Sequence, residues 1–227
     1  GDFEVGGDNS VTTDFHMGPW ESIRSIYPAC WGYCSWANRD DSAKSYKERE
    51  LVNNLIGTVA SGGQFAYNVG PKGDGTIDAF DSGVVTEVGQ WMARHPDAIT
   101  GARPTWFPAP NWGKVMTKGN DLYFFPELWS PGKTLTLPSV GGHVSAVTVD
   151  GTDRALDFNQ DGTTLMVTMS GDNPEPNLRP VIKVTFDGAP TYVPTQTVTA
   201  VDGATISSEQ FFGRASALRY SGAQAYD

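Results

Sequence analysis

The stretch Ser61 to Ile77, SGGQFAYNVGPKGDGTI, decides the fold. Gln64 to Val69 is a short, mostly apolar run bounded by glycines, which predicts a buried strand. It runs directly into Gly70, Pro71, Gly73 and Gly75, which force a tight loop. Upstream, Leu51, Val52, Leu55, Ile56 and Val59 recur at helical spacing and predict one apolar helix face. Ser45 and Glu48 have the spacing of a capping box at that helix's start, and Gly62-Gly63 ends it. Downstream, Val84, Val85, Val88, Trp91 and Met92 predict a second buried stripe. Asp81 or Ser82 is its expected cap and Pro96 its stop. Helix, strand, glycine loop and helix in succession make a βα repeat, and in α/β folds the C-terminal ends of such strands face the site.

From Trp112 the texture changes to short runs: Lys114 to Thr117, Asp121 to Phe125, Thr134 to Leu137, Val144 to Val149, Thr164 to Met169 and Val181 to Phe186. Gly119-Asn120, Pro131-Gly132, Gly141-Gly142, Asp161-Gly162 and Asp187-Gly188 separate them. Strands at this spacing predict an antiparallel β-sandwich. The expected fold class is therefore α/β plus all-β. Residues 1–106 are expected to be the last units of a (β/α)8-like barrel, 107–190 a β-sandwich and 191–227 a C-terminal extension, with a strand at Val198 to Ile206. Two and a half α/β units cannot close an eight-stranded barrel, which takes about 250 residues, so earlier strands are expected outside this sequence. Its beginning at Gly1 fits a processed chain or a piece of a longer one.

The net charge of −10 argues against a nucleic-acid partner, and no apolar run has the length of a membrane helix. Cys30 and Cys34 suit either a small disulfide loop or two free thiols. His16, His95 and His143 are scattered, so no zinc site is expected. Asp157 to Gly162 matches half of a calcium loop, but Thr168 stands where the bidentate glutamate belongs, which favours a hairpin turn at Asp161-Gly162.

The glycine-loop stretch resembles the late-barrel signature of family 29 glycoside hydrolases, the α-L-fucosidases. Gly1-Asp2-Phe3, Trp20-Glu21 and Trp31-Gly32-Tyr33 precede it in the order and spacing of that family, and Asp97-Ala98-Ile99-Thr100-Gly101 resembles its closing segment. The resemblance implies a secreted, retaining exo-α-L-fucosidase that releases terminal fucose from glycans or polysaccharides, without metal or organic cofactor. It also implies that the missing N-terminal part of the barrel carries the nucleophilic aspartate. Retaining hydrolysis needs two carboxylates about 5–5.5 Å apart. Glu21 is the first choice for the acid/base, because the neighbouring Trp20 would dry its carboxyl and raise its pKa. Asp8, a few residues after Gly-Asp-Phe, is the alternative, and Glu4 a third. Trp31 is expected against the sugar's apolar face, with Trp20 and His16 also placed among the substrate-binding residues. Asn68 and Asp74 are expected to shape their loop. The rival reading from another class is a non-catalytic carbohydrate-binding fragment; a third is another retaining glycosidase.

Overall fold

The computed structural model of the chain describes residues 4–5, 9, 11 and 18–193. The expected strand at Val198 to Ile206 lies outside the described residues. Strands β1 (Glu4–Val5), β2 (Trp20–Ser25) and β3 (Gln64–Asn68) form a parallel sheet, with β2 in the middle. Helix α1 (Asp41–Ala60) connects β2 to β3, and α2 (Ala79–Arg94) and the short α3 (Pro96–Ile99) follow.

Both helices begin earlier than their expected caps. Asp40 caps α1: its carboxylate accepts from the Ala43 N–H at 2.8 Å. That bond first, then those from Asn38 and Ser42, holds its pKa down at about 2. Ser45 therefore stands inside the helix, and Glu48 meets Lys44 at 3.5 Å instead of closing a capping box. Asp78 caps α2 by accepting from the Phe80 N–H at 2.9 Å, so Asp81 and Ser82 lie one turn inside. The stripes hold in outline. Leu51, Val52, Ile56, Val84, Val88 and Trp91 are buried in one cluster, while Val85 faces outward.

Strands β4 (Arg103–Pro104), β5 (Gly113–Lys118) and β6 (Asp121–Pro126) open the β-rich half. After them come β7 (Thr134–Leu137), β8 (Val140–Gly141), β9 (Val144–Val149) and β10 (Asp157–Asp161). The last are β11 (Thr164–Thr168), β12 (Ile182–Phe186) and β13 (Thr191–Tyr192). The five-stranded sheet runs in the order β4-β5-β6-β12-β9, and β10-β11-β7 makes a second antiparallel sheet. Asp157 to Gly162 is strand β10 and its turn, with Asp161 opposite Thr164 and Gly162 at φ 57°. Arg103 and Pro104, just before the expected boundary at residue 106, pair with Thr117 and Met116 of β5.

Strand β6 explains how the halves join. Side chains alternate faces along a strand. Leu122 and Phe124 enter a core shared with Leu135, Leu137, Leu165 and Val167 of the second sheet. Tyr123 and Phe125 point the other way, into the core beneath α1 and α2. The uninterrupted run LYFF thus marks a strand buried on both faces.

Polar contacts close the same seam. Trp91 Nε1 donates to the Arg179 carbonyl at 2.9 Å, and Lys118 Nζ reaches Asp97 at 2.6 Å. His95, only 3% exposed, sets Nδ1 2.7 Å from Asp150 and Nε2 3.3 Å from Glu175. Arg94 meets Glu175 at 2.8 Å. Burial alone would lower the His95 pKa, but the bonds from Asp150 and Glu175 outweigh it and raise the value above 6.5. Burial would raise the Glu175 pKa, but His95 and Arg94 outweigh it and lower the value below 4.5.

The pH dependence of this seam follows. The histidine's contribution is complete below its unfolded value of 6.5 and is lost as pH rises through the folded value. The Glu175 contribution is present above 4.5 and fades as acid protonates it. Thermal melts of the protein and of His95→Gln should therefore differ most just below pH 6.5. The gap in Tm should narrow as the solution is made alkaline; a gap independent of pH would refute the ionic account.

Candidate active site

The three parallel strands share one direction, so their C-terminal ends define one face. At that face, five hydrogen bonds gather the loops. Asn9 Oδ1 accepts from the Ser25 N–H at 2.7 Å, and its Nδ2 donates to the Pro28 carbonyl. Asn68, the last residue of β3, donates from Nδ2 to Ser25 Oγ at 3.2 Å and to the Trp31 carbonyl at 2.8 Å. The Ile26 N–H donates to the Asn68 carbonyl at 2.9 Å. Asn68 therefore does more than shape its own loop: it fastens the Trp31 loop to the ends of two strands. Asp74 does shape its loop, accepting from Thr76 N at 2.9 Å and Thr76 Oγ1 at 2.7 Å.

The Trp31 loop is closed by the Cys30–Cys34 disulfide, with Cα atoms 6.1 Å apart. Arg39 clamps it from behind. Its Nη1 donates to the Cys34 carbonyl at 2.8 Å, and its Nε lies 3.4 Å from Asp81 and 3.7 Å from Asp78. Its guanidinium also stacks over Tyr27 at 4.9 Å and Tyr33 at 4.6 Å. Burial, then the Asp81 charge, pushes the Tyr27 phenol up to about 12, so it stays neutral at ordinary pH. Gly70 lies against the same loop so closely that a Cβ there would fall on the backbone of Gly32.

The proposed site residues divide sharply by position. Trp31 is 42% exposed beside the C-terminal ends. Trp20 is 2% exposed and covers Gly63, where a Cβ would come within 2.5 Å of the indole. It shares a face of β2 with Arg24, which pairs with Glu50 of α1 at 2.6 Å. The expectation of Trp20 as a substrate contact is thus corrected: it is a core side chain on the helix side. Adjacent residues of a strand point to opposite faces, so its ring does not cover the Glu21 carboxyl either. Glu21 shares its face with Ile23 and Ser25, and is in register with Val5 and Gln64 near the strand starts. It stands four positions before Ser25, roughly 13 Å of strand. Glu4 is in register with Trp20 at the same low end. Asp8 and His16 lie outside the described residues.

Sequence reasoning missed Asn9, Arg39 and the ion-pairing role of Asp78 and Asp81. Only the polar character of the loops pointed to them; the spacing from Arg39 to Asp81 is 42 residues, and no local pattern links them.

Residues 1–97 match the family model described as Alpha-L-fucosidase. The tissue alpha-L-fucosidase of Homo sapiens is 32% identical over 128 residues, which is 53% of this chain and 26% of that protein. The chain thus spans about a quarter of the length of this curated relative. Alpha-L-fucosidase isoenzyme 1 from Paenibacillus thiaminolyticus superposes with a TM-score of 0.69 at 24% identity, covering 82% of this chain and 45% of that one. A family 29 alpha-L-fucosidase from Bacteroides thetaiotaomicron, trapped as a covalent intermediate with 2-fluoro-fucosyl fluoride, superposes at 0.66 with 20% identity, covering 81% and 43%. At those identities the structural likeness is one of fold, and the sequence match to the alpha-L-fucosidases runs through the segment that builds the Trp31 and Gly70 loops.

Proposed function

We propose that this chain is the C-terminal part of a secreted, retaining exo-α-L-fucosidase acting on fucosylated glycans. In this reading β1–β3 with their helices are the last units of a (β/α)8 barrel, and the antiparallel sheets form a β-sandwich behind it. The observation that carries the reading is the Trp31 loop, tied by Asn68 across the C-terminal ends of parallel strands within the family-matched segment. That is where barrel enzymes hold their substrates. The face of the sheet bearing Glu21, Ile23 and Ala66 is the one turned away from α1, as a barrel lining requires. An indole presented there suits the methyl-bearing edge of a 6-deoxy sugar.

The covalent intermediate of the Bacteroides protein supports a double displacement. An aspartate on an earlier strand would attack the anomeric carbon while the acid/base protonates the departing oxygen. The same group would then take a proton from water as water opens the ester. Glu21 stands near the start of β2, away from the C-terminal ends, so in this reading Asp8, the alternative candidate, takes the role. Glu21 lies roughly 13 Å along β2 from Ser25, which stands at the strand's C-terminal end.

In the complete enzyme, Asp8→Ala should slow hydrolysis of natural fucosides about 10²–10⁴-fold and spare the first step on an activated aryl fucoside. Azide should restore turnover and yield α-fucosyl azide. Glu21→Ala should lack this rescue; the reverse pattern would return the role to Glu21. Trp31→Ala should weaken inhibition by free fucose by about 3- to 10-fold. Gly70→Ala should do likewise by displacing the Trp31 loop, and should cost about 1–3 kcal/mol of stability. Unchanged fucose inhibition in both variants would remove this loop from the sugar subsite.

A further inference from the structure

A cleft of about 670 Å³ opens between the middle of α1 and the chain following β6. Small-molecule sites have volumes of about 300–1,000 Å³. Trp20, Glu21 and Trp31 do not line it. Arg49, Lys114 and Arg179 do, against one carboxylate, Glu127. The chain as a whole carries a net charge of −10, so this local excess of cations runs against its composition. Among the described residues, Arg24, Arg39, Lys72, Arg94, Lys118 and Lys183 all form ion pairs. Among the same residues Arg49, Lys114 and Arg179 form none, nor do Arg103, Lys133 and Arg154, and of these six only the first three line the cleft.

Arg179 is the most constrained of the three. Its Nη2 donates to the Phe125 carbonyl at 3.0 Å, and its Nε is buried without a hydrogen-bond partner. Burial lowers its pKa, and the nearby Glu127 charge offsets only part of that. An anion brought to this guanidinium would relieve the cost of burying it. Arg49 donates from Nε to the Asn177 carbonyl at 3.3 Å, which leaves its remaining N–H groups for a ligand.

The other walls are not those of a bare anion site. Trp129 lines the cleft, and its indole is fixed by donation to the Gly171 carbonyl at 2.9 Å and by Arg154 at 5.1 Å from the ring. Asn53 adds an amide with two donors and an acceptor. An aromatic plane, an amide and unpaired cations together match a sugar ring with hydroxyls and a fixed negative charge.

We propose that this cleft binds an anionic saccharide unit, a sugar carrying a carboxylate or a sulfate ester. The anion lies between Lys114 and Arg179, and the ring lies against Trp129. This assignment does not depend on the catalytic reading above, and its test uses binding alone.

The test is titration calorimetry on the full chain at low salt, with a digalacturonate, a monosulfated disaccharide, neutral cellobiose and inorganic sulfate as probes. One or both anionic disaccharides should bind about tenfold or more tightly than cellobiose, and added salt should weaken that binding. The preferred probe identifies the charged group as carboxylate or sulfate. Lys114→Gln and Arg49→Gln should each reduce that affinity about tenfold, and Lys114→Gln should do so without moving the Tm, because Lys114 supports no ion pair in the fold. Equal binding of charged and neutral disaccharides would overturn the proposal. So would inorganic sulfate binding as tightly as the sulfated disaccharide, or unchanged affinity in both variants. Loss of fucosidase activity in the complete enzyme would be a separate result, bearing on the catalytic reading.

Discussion

Strand β6 is the constraint on which both halves of the molecule depend. Its six residues present Leu122 and Phe124 to one core and Tyr123 and Phe125 to the other, and all four are essentially inaccessible. Burying one such side chain contributes about 1.5–3 kcal/mol, so this strand gives each core two of its larger contributions. A shift of one residue in its pairing with β5 or β12 would exchange the two pairs and misfit both cores at once. The helices consequently dock on a surface whose register is already fixed from behind. The ties at Trp91, His95 and Lys118 then set the angle of docking through directional bonds.

The candidate active face is held by a different kind of interaction. Arg39 is a permanent cation enclosed by two aromatic rings and two carboxylates, and it also binds the Cys34 carbonyl. Lysine would keep the charge and lose the planar fork that serves these partners together. Through Arg39 the start of α2 is coupled to the loop that carries Trp31. Through Asn68 the same loop is coupled to β2 and β3. The indole is therefore exposed yet mounted on a well-supported loop.

The order of elements was legible because it rests on local pattern. The apolar stripes of α1 and α2, the strand before Gly70 and the short β runs each declare themselves within a few residues. The cap positions were less so, since Ser45-Glu48 imitates a capping box in the interior of a helix that Asp40 had already begun. The site was legible only in part. Trp31 and the Asn68-Gly70 loop carry a visible motif and lie together at the C-terminal ends of the strands, but Trp20 and Glu21 share one motif and lie on opposite faces of β2, near its beginning. A dipeptide does not say which end or face of a strand it occupies. That information is in the parallel register with β3 and in the reach of Asn9 to Ser25, contacts across 43 and 16 residues.

The meeting of Gly70 with Gly32 has an evolutionary reading. Most tight packings in proteins can be repaired by exchange, one side chain growing as its neighbour shrinks. Here the atoms nearest a Cβ at residue 70 are the carbonyl carbon and oxygen of Gly32 and the amide nitrogen of Tyr33, all main chain. No substitution at the partner position can make them smaller. The two loops are therefore locked by a contact that has no compensating mutation, and the only escape is to move a whole loop. Drift in this part of the chain is confined to the residues around that contact, while the contact itself must be inherited intact.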